Sequence, residues 1–220
     1  MEKSRPRART RRMSKPERRH FSMIRDFRVA DFLTLGNGCA GMGAILAAMT
    51  YAVTSDRSSL HLAFALLPAA FVFDVLDGRV ARMRKEVSML GQELDSLADL
   101  VSFGVAPAVL AFALGARGGL DAVALVYFVG CGISRLARYN ATASALSDAS
   151  GKVKHFEGTP IPTSLAVVAL LFALTCAGRI HDHLLFGALD VAGFTLHPLV
   201  LVYVASGTAM ISKTLRIPKP

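Results

Sequence analysis

Residues 73–107 read FDVLDGRVAR (73–82), MRKEVSML (83–90) and GQELDSLADLVSFGVAP (91–107), two largely apolar segments separated by a short charged joint. Each segment continues into an apolar run of helical length, so the short joint makes the two helices antiparallel neighbours. Asp74, Asp77, Asp95 and Asp99 lie at or near the ends of these helices, on either side of the joint. On a helix turning about 100° per residue, Asp74, Asp77, Gly78, Ala81 and Arg82 share an arc of roughly 140°, while Gly91, Asp95 and Asp99 share one of roughly 80°. The hairpin therefore turns four carboxylates toward one another.

Working outward, the chain has 220 residues, of which 53% are hydrophobic and only 19% charged, with a mean hydropathy of +0.45. A soluble domain of this length could not bury so many long apolar runs. The runs fall at about 32–53, 60–76, 96–115, 122–137, 161–178 and 197–212, which predicts an all-α integral membrane protein with six transmembrane helices. Residues 184–194 are apolar but short and carry Asp190, so they are expected to be interfacial or re-entrant rather than a seventh span. Residues 1–28 hold eleven Lys and Arg and no long apolar run. They are expected to form a basic arm, with an interfacial helix near residues 21–27, ahead of a six-helix domain over residues 29–220.

Charge placement orients the expected bundle. Six spans put both termini on one side together with residues 79–85 and 135–154, and that side carries 22 of the 25 Lys and Arg; Arg57, Arg117 and Arg179 are the other three. By the positive-inside rule the N- and C-termini and the aspartates are expected at the cytoplasmic face of the cytoplasmic membrane. The net charge of +9 then suits membrane lipids and a phosphate-bearing substrate, and no nucleic-acid partner is expected.

Two other patterns carry little chemistry. Gly36, Gly38 and Gly41 spell G-x-G-x-x-G, but inside an apolar helix rather than after a strand; the small residues at four-residue spacing, Gly36, Ala40, Ala44 and Ala48, read as a helix-packing seam. Cys39, Cys131 and Cys176 are dispersed in apolar runs and make neither a disulfide framework nor a zinc site.

Pairing with Arg79, Arg82, Arg84 and Lys85 would account for any one aspartate, but not for four at i,i+3 and i,i+4 spacing with small residues between them. Oxygen ligands without His or Cys point to two divalent cations, Mg²⁺ or Mn²⁺, suited to phosphoryl chemistry. Gly78, Ala81 and Gly91 leave room for a flat or phosphorylated group, and Arg82 can bind phosphate.

The pattern D-x-x-D-G-x-x-A-R, eight residues, then G-x-x-x-D-x-x-x-D, filled by Asp74, Asp77, Gly78, Ala81, Arg82, Gly91, Asp95 and Asp99, resembles the signature of the CDP-alcohol phosphatidyltransferases. The stretch DFLTLGN (31–37) is similar to the opening of that family's first helix, with Ala30-Asp31 where Pro-Asn is common. The resemblance implies a six-helix homodimer that transfers a phosphatidyl group from CDP-diacylglycerol to an alcohol and releases CMP. It further implies that Asp74, Asp77, Asp95 and Asp99 hold two divalent ions, that Gly78, Ala81, Arg82 and Gly91 line the nucleotide site, and that Asp99 is also the base.

Residues 95–107, RLARYN (135–140) and FEGTPIP (156–162) resemble the family members that use L-serine as acceptor. Arg135, Arg138 and Asn140 are expected to bind that acceptor, the arginines through its carboxylate and Asn140 through its ammonium. None of the six His begins an H-x-K motif, which excludes the phospholipase D type of this activity. Another acceptor, glycerol 3-phosphate or an inositol phosphate, stays open, as do an aspartate-rich intramembrane prenyltransferase and a divalent-cation transporter.

Overall fold

The computed structural model describes residues 27–84, 88–147, 155–212 and 216–218, with side chains over 27–84, 88–142 and 158–212. Nearly all of the expected basic arm and its interfacial helix lie outside the described residues. The long apolar runs fold as helices: α1 (Val29–Thr54), α2 (Arg57–Arg84), α3 (Met89–Asp99), α4 (Ala106–Ala113), α5 (Gly119–Ser147), α6 (Ser164–Cys176) and α7 (Leu201–Ile211). A π-helical segment, Leu100–Val105, joins α3 to α4, so that residues 89–113 form one continuous rod.

Among the described residues, four helices are long and apolar enough to cross a membrane: Val29–Thr54, Arg57–Arg84, Met89–Ala113 and Gly119–Thr142. Two shorter apolar helices, Ile161–Cys176 and Pro198–Ile211, occupy the fifth and sixth expected positions. Residues 184–194 add no further helix: a 3₁₀ turn (His181–His183) leads to a hairpin of β1 (Leu189–Val191) and β2 (Phe194–Leu196). A second antiparallel pair joins His155–Glu157 to Arg216–Pro218. These short pairs are the departure from an all-α fold.

Local chemistry explains where the helices turn. Ser55 closes α1 in the left-handed conformation (φ 57°), its N–H bonded to Tyr51 O. Asp56 then accepts from the N–H groups of Ser58 and Ser59 and from the Ser59 hydroxyl, which caps α2 and holds the Asp56 carboxyl below its ordinary range. Ser88 caps α3, its Oγ accepting from Gly91 N at 2.9 Å.

Apolar helices in lipid gain little by hiding greasy surface from one another, so close backbone approach and internal hydrogen bonds hold them. The α1 seam shows this directly. Ala40, Ala44 and Ala48 are buried, Gly36 faces Phe73, and Gly38 faces Ala98. A Cβ on Gly41 would lie 2.3 Å from Ser102 Oγ and 2.7 Å from Ser102 Cα, so only glycine admits the π-helical segment there. Elsewhere the fully buried Tyr203 stacks edge-on to Phe128 at 5.1 Å and donates its hydroxyl proton to Pro107 O at 2.8 Å. Of the three free cysteines Cys131 is buried, against Gly207, while Cys39 and Cys176 face outward.

Candidate active site

Antiparallel pairing of α2 and α3 brings the sequence-predicted aspartates together. Ligand oxygens of Asp74, Asp95 and Asp99 all lie within 4.8 Å of one another. Asp77 is outside that trio but within electrostatic reach of Asp95 and Asp99. It is buried, and its Oδ2 accepts a 2.7 Å hydrogen bond from Thr34. Asp99 is also buried, with Oδ1 accepting from Asn37 Nδ2 at 3.0 Å.

Whether these residues fit a divalent cation can be tested on their unsatisfied atoms. Asp95 Oδ1 is buried and has no hydrogen-bond partner, a costly state for a carboxylate oxygen unless a cation takes it up. Three converging carboxylates with an orphaned oxygen and no soft ligand make a site for a hard cation. The donor set fits.

A cavity of about 330 Å³ opens beside the cluster, lined by Asp31, Thr34, Asp77, Gly78, Ala81, Ser88, Gly91, Gln92, Asp95 and Tyr139 among others. The expected small residues thus line one space with two of the expected carboxylates. A Cβ on Gly91 would sit 2.9 Å from Asp31 Oδ1 and 3.0 Å from Ser88 Oγ, so any side chain there would fill the gap. At Gly78 a Cβ would meet only the Arg82 guanidinium, 3.7 Å away. Arg82 therefore lies over Gly78, as its exposed position at the end of α2 allows.

The three residues expected at the acceptor differ in their settings. Arg135 is half-buried, its Nε has no hydrogen-bond partner, and it lies within electrostatic reach of Asp99. Arg138 donates from Nη2 to Ile211 O at 3.3 Å, joining α5 to the end of α7. The Asn140 oxygen accepts from Ser96 Oγ (3.2 Å) and Gln92 Nε2 (3.4 Å), and its Nδ2 donates to Glu93. Asn140 thus ties α5 to α3.

Against relatives, the match is broad. A family model described as CDP-alcohol phosphatidyltransferase matches residues 27–209. The chain belongs to the CDP-alcohol phosphatidyltransferase family. Over 204 residues it is 45% identical to the CDP-diacylglycerol–serine O-phosphatidyltransferase of Saccharomyces cerevisiae, covering 91% of this chain and 74% of that protein. It is 37% identical over 143 residues to the Mycobacterium leprae protein of the same name, covering 64% of this chain and 45% of that protein. With the archaetidylserine synthase of Methanothermobacter thermautotrophicus it shares 32% identity over 157 residues, 68% of this chain and 62% of that protein. The family membership makes the chain a transferase of phospholipid synthesis, and its apolar helices accord with an integral membrane protein.

Three polar residues of α1 bear on the site without having been predicted for it: Asp31, Thr34 and Asn37. They were visible only as part of the first-helix opening. Their spacing of three placed them on one face of α1, but nothing in that helix alone names the partner across the interface.

Proposed function

We propose that this chain transfers the phosphatidyl group of CDP-diacylglycerol to the hydroxyl of L-serine, giving phosphatidylserine and CMP. The observation that carries this reading is the gathering of Asp74, Asp95 and Asp99 beside a cavity floored by Gly78, Ala81 and Gly91, in a chain 45% identical to a protein named for that reaction.

Asp74, Asp77, Asp95 and Asp99 would hold two divalent cations, Mg²⁺ or Mn²⁺, which supply positive charge for the diphosphate and for the departing CMP. Gly78, Ala81 and Gly91 leave room for the nucleotide, and Arg82 offers a cation to a phosphate. Arg135, which lies within electrostatic reach of Asp99, takes the serine carboxylate and so sets the serine hydroxyl beside the base. Arg138 and Asn140 shape this pocket from α5, held by their bonds to Ile211 O and to α3. Asp99 accepts the hydroxyl proton as the serine oxygen forms its bond to the phosphatidyl phosphorus and the bond to the CMP oxygen breaks. No covalent enzyme intermediate is needed.

The reading extends to the assembly: six spans over residues 29–220, termini and site on the cytoplasmic face, a homodimer, and a basic arm over residues 1–28 that contacts anionic lipid. The test is CMP release from CDP-diacylglycerol by purified protein offered L-serine, glycerol 3-phosphate, an inositol phosphate or no acceptor. Serine alone is expected to support release. Release with one of the others but not with serine would overturn the acceptor and leave the family reaction standing.

A further inference from the structure

Two polar side chains of α1 are buried against the carboxylates, one turn apart. Thr34 is 4% exposed and Asn37 is fully buried. Thr34 Oγ1 lies 2.7 Å from Asp77 Oδ2 and 3.1 Å from Ala30 O. Its single proton belongs with the nearer acceptor, because a carboxylate binds a hydroxyl proton more strongly than an amide carbonyl does. Asn37 Nδ2 donates to Asp99 Oδ1 at 3.0 Å, and the Asn37 carbonyl in turn accepts from Ser102 Oγ at 2.9 Å. That last bond is to the backbone oxygen of Asn37, not to its buried and unpartnered side-chain Oδ1, and it lies where Gly41 lets α1 touch the π-helical segment directly after Asp99.

We propose that Thr34 and Asn37 are positioning residues, which fix the spacing and rotation of the Asp77 and Asp99 carboxylates by holding one oxygen of each and leaving the other to face the cluster. Asp77 comes from α2 and Asp99 from α3, so the bonds from Thr34 and Asn37 are what join the two carboxylates to one common helix. A third helix that grips both sets the distance between the two arms of the hairpin. Thr and Asn suit this task because each donates a proton without bringing a charge into a crowded acidic site. Groups that orient metal ligands in this way typically alter metal affinity about 10- to 100-fold when removed. The same geometry limits Asp99: with Oδ1 held by Asn37, Oδ2 is the oxygen that meets cation and substrate.

This inference rests on the divalent-cation reading above, and the experiment separates the two. Mn²⁺ binding to purified, metal-stripped protein in detergent is measured by electron paramagnetic resonance, with no substrate present. Melting temperatures of the metal-free proteins are measured in parallel. Thr34→Val removes the hydroxyl at nearly constant shape, Thr34→Ser restores it, and Asn37→Leu removes the amide donor. The expected result is Mn²⁺ affinity about tenfold or more weaker in Thr34→Val and Asn37→Leu, with Thr34→Ser close to the unsubstituted chain. The melting temperature of metal-free Thr34→Val should match that of Thr34→Ser. Equal Mn²⁺ affinity in Thr34→Val and the unsubstituted chain would overturn the positioning role while leaving the metal site in place. A loss of affinity in Thr34→Ser as large as in Thr34→Val would also overturn it. Failure of the unsubstituted chain to bind Mn²⁺ would overturn both readings.

Discussion

Asp99 and Asp121 are comparably deep, 8% and 0% exposed, yet their surroundings are built on opposite plans. Asp121 stands at the start of α5, at the far end of the helices from the cluster. Its Oδ1 accepts from His197 N at 2.7 Å, while Oδ2 accepts from Gly118 N at 2.8 Å and pairs with His197 Nδ1 at 2.6 Å. Its bonds to His197 tie α5 to the segment that precedes α7, and its bond to Gly118 caps the start of α5. At the other end, Asp74, Asp95 and Asp99 crowd together with one orphaned oxygen and the nearby Arg135 Nε also unpartnered. A buried carboxylate whose oxygens are satisfied by the protein is a fastener; carboxylates held beside others of their own charge have the donor set that a cation would stabilise.

The contrast is broken most severely at the cluster. Asp74→Asn or Asp95→Asn should abolish divalent-dependent CMP release, and Asp99→Asn should lower turnover by about 10²-fold or more while CDP-diacylglycerol still binds. Single-turnover assays and nucleotide-binding measurements check the two halves of that statement. Next comes the acceptor. Arg135→Ala should raise the serine KM by at least about tenfold with little change for CDP-diacylglycerol, as expected for removal of one partner of a charge pair. A smaller change than in Arg138→Ala would transfer the carboxylate contact to Arg138.

Structural substitutions sharpen the comparison from the other side. Asp121→Ala leaves the N–H groups of Gly118 and His197 without their acceptor, so it should lower stability by about 2 kcal/mol, read as a lower melting temperature, while kcat and KM of the folded protein hold. Gly41→Ala should cost about 1–3 kcal/mol through overpacking against Ser102, and in the fraction that folds it should disturb the carbonyl of Asn37. Equal loss of turnover in Asp121→Ala and Asp95→Asn would erase the distinction between the two ends.

What the chain reveals by itself follows the same division. Helices longer than a bilayer is thick announce themselves by apolar length, and the i,i+3 and i,i+4 spacing of Asp74, Asp77, Asp95 and Asp99 needs only helix geometry to become a cluster. Interactions between distant segments were not legible. Asp121 and His197 are 76 residues apart, and Thr34 and Asp77 are 43 apart; each residue alone is an ordinary polar group near a helix end. His181 belongs to the same class. Its Nε2 pairs with Tyr51 OH, 130 residues away, at 2.8 Å with the two rings stacked. Leu189–Val191 and Phe194–Leu196 pair across a turn at Ala192 and Gly193, both with positive φ, a local choice that apolar content could not distinguish from a surface helix.

The central claim is that the unsatisfied carboxylates hold divalent cations for phosphatidyl transfer to serine. The most direct measurement is incorporation of labelled L-serine into lipid by purified protein in liposomes containing CDP-diacylglycerol, with Mn²⁺ or with excess EDTA, for the unsubstituted chain, Asp95→Asn and Asp121→Ala. Phosphatidylserine should form with Mn²⁺ in the unsubstituted chain and in Asp121→Ala, and should be absent with EDTA and in Asp95→Asn. Labelled lipid formed at an undiminished rate in EDTA, or by Asp95→Asn, would contradict the account.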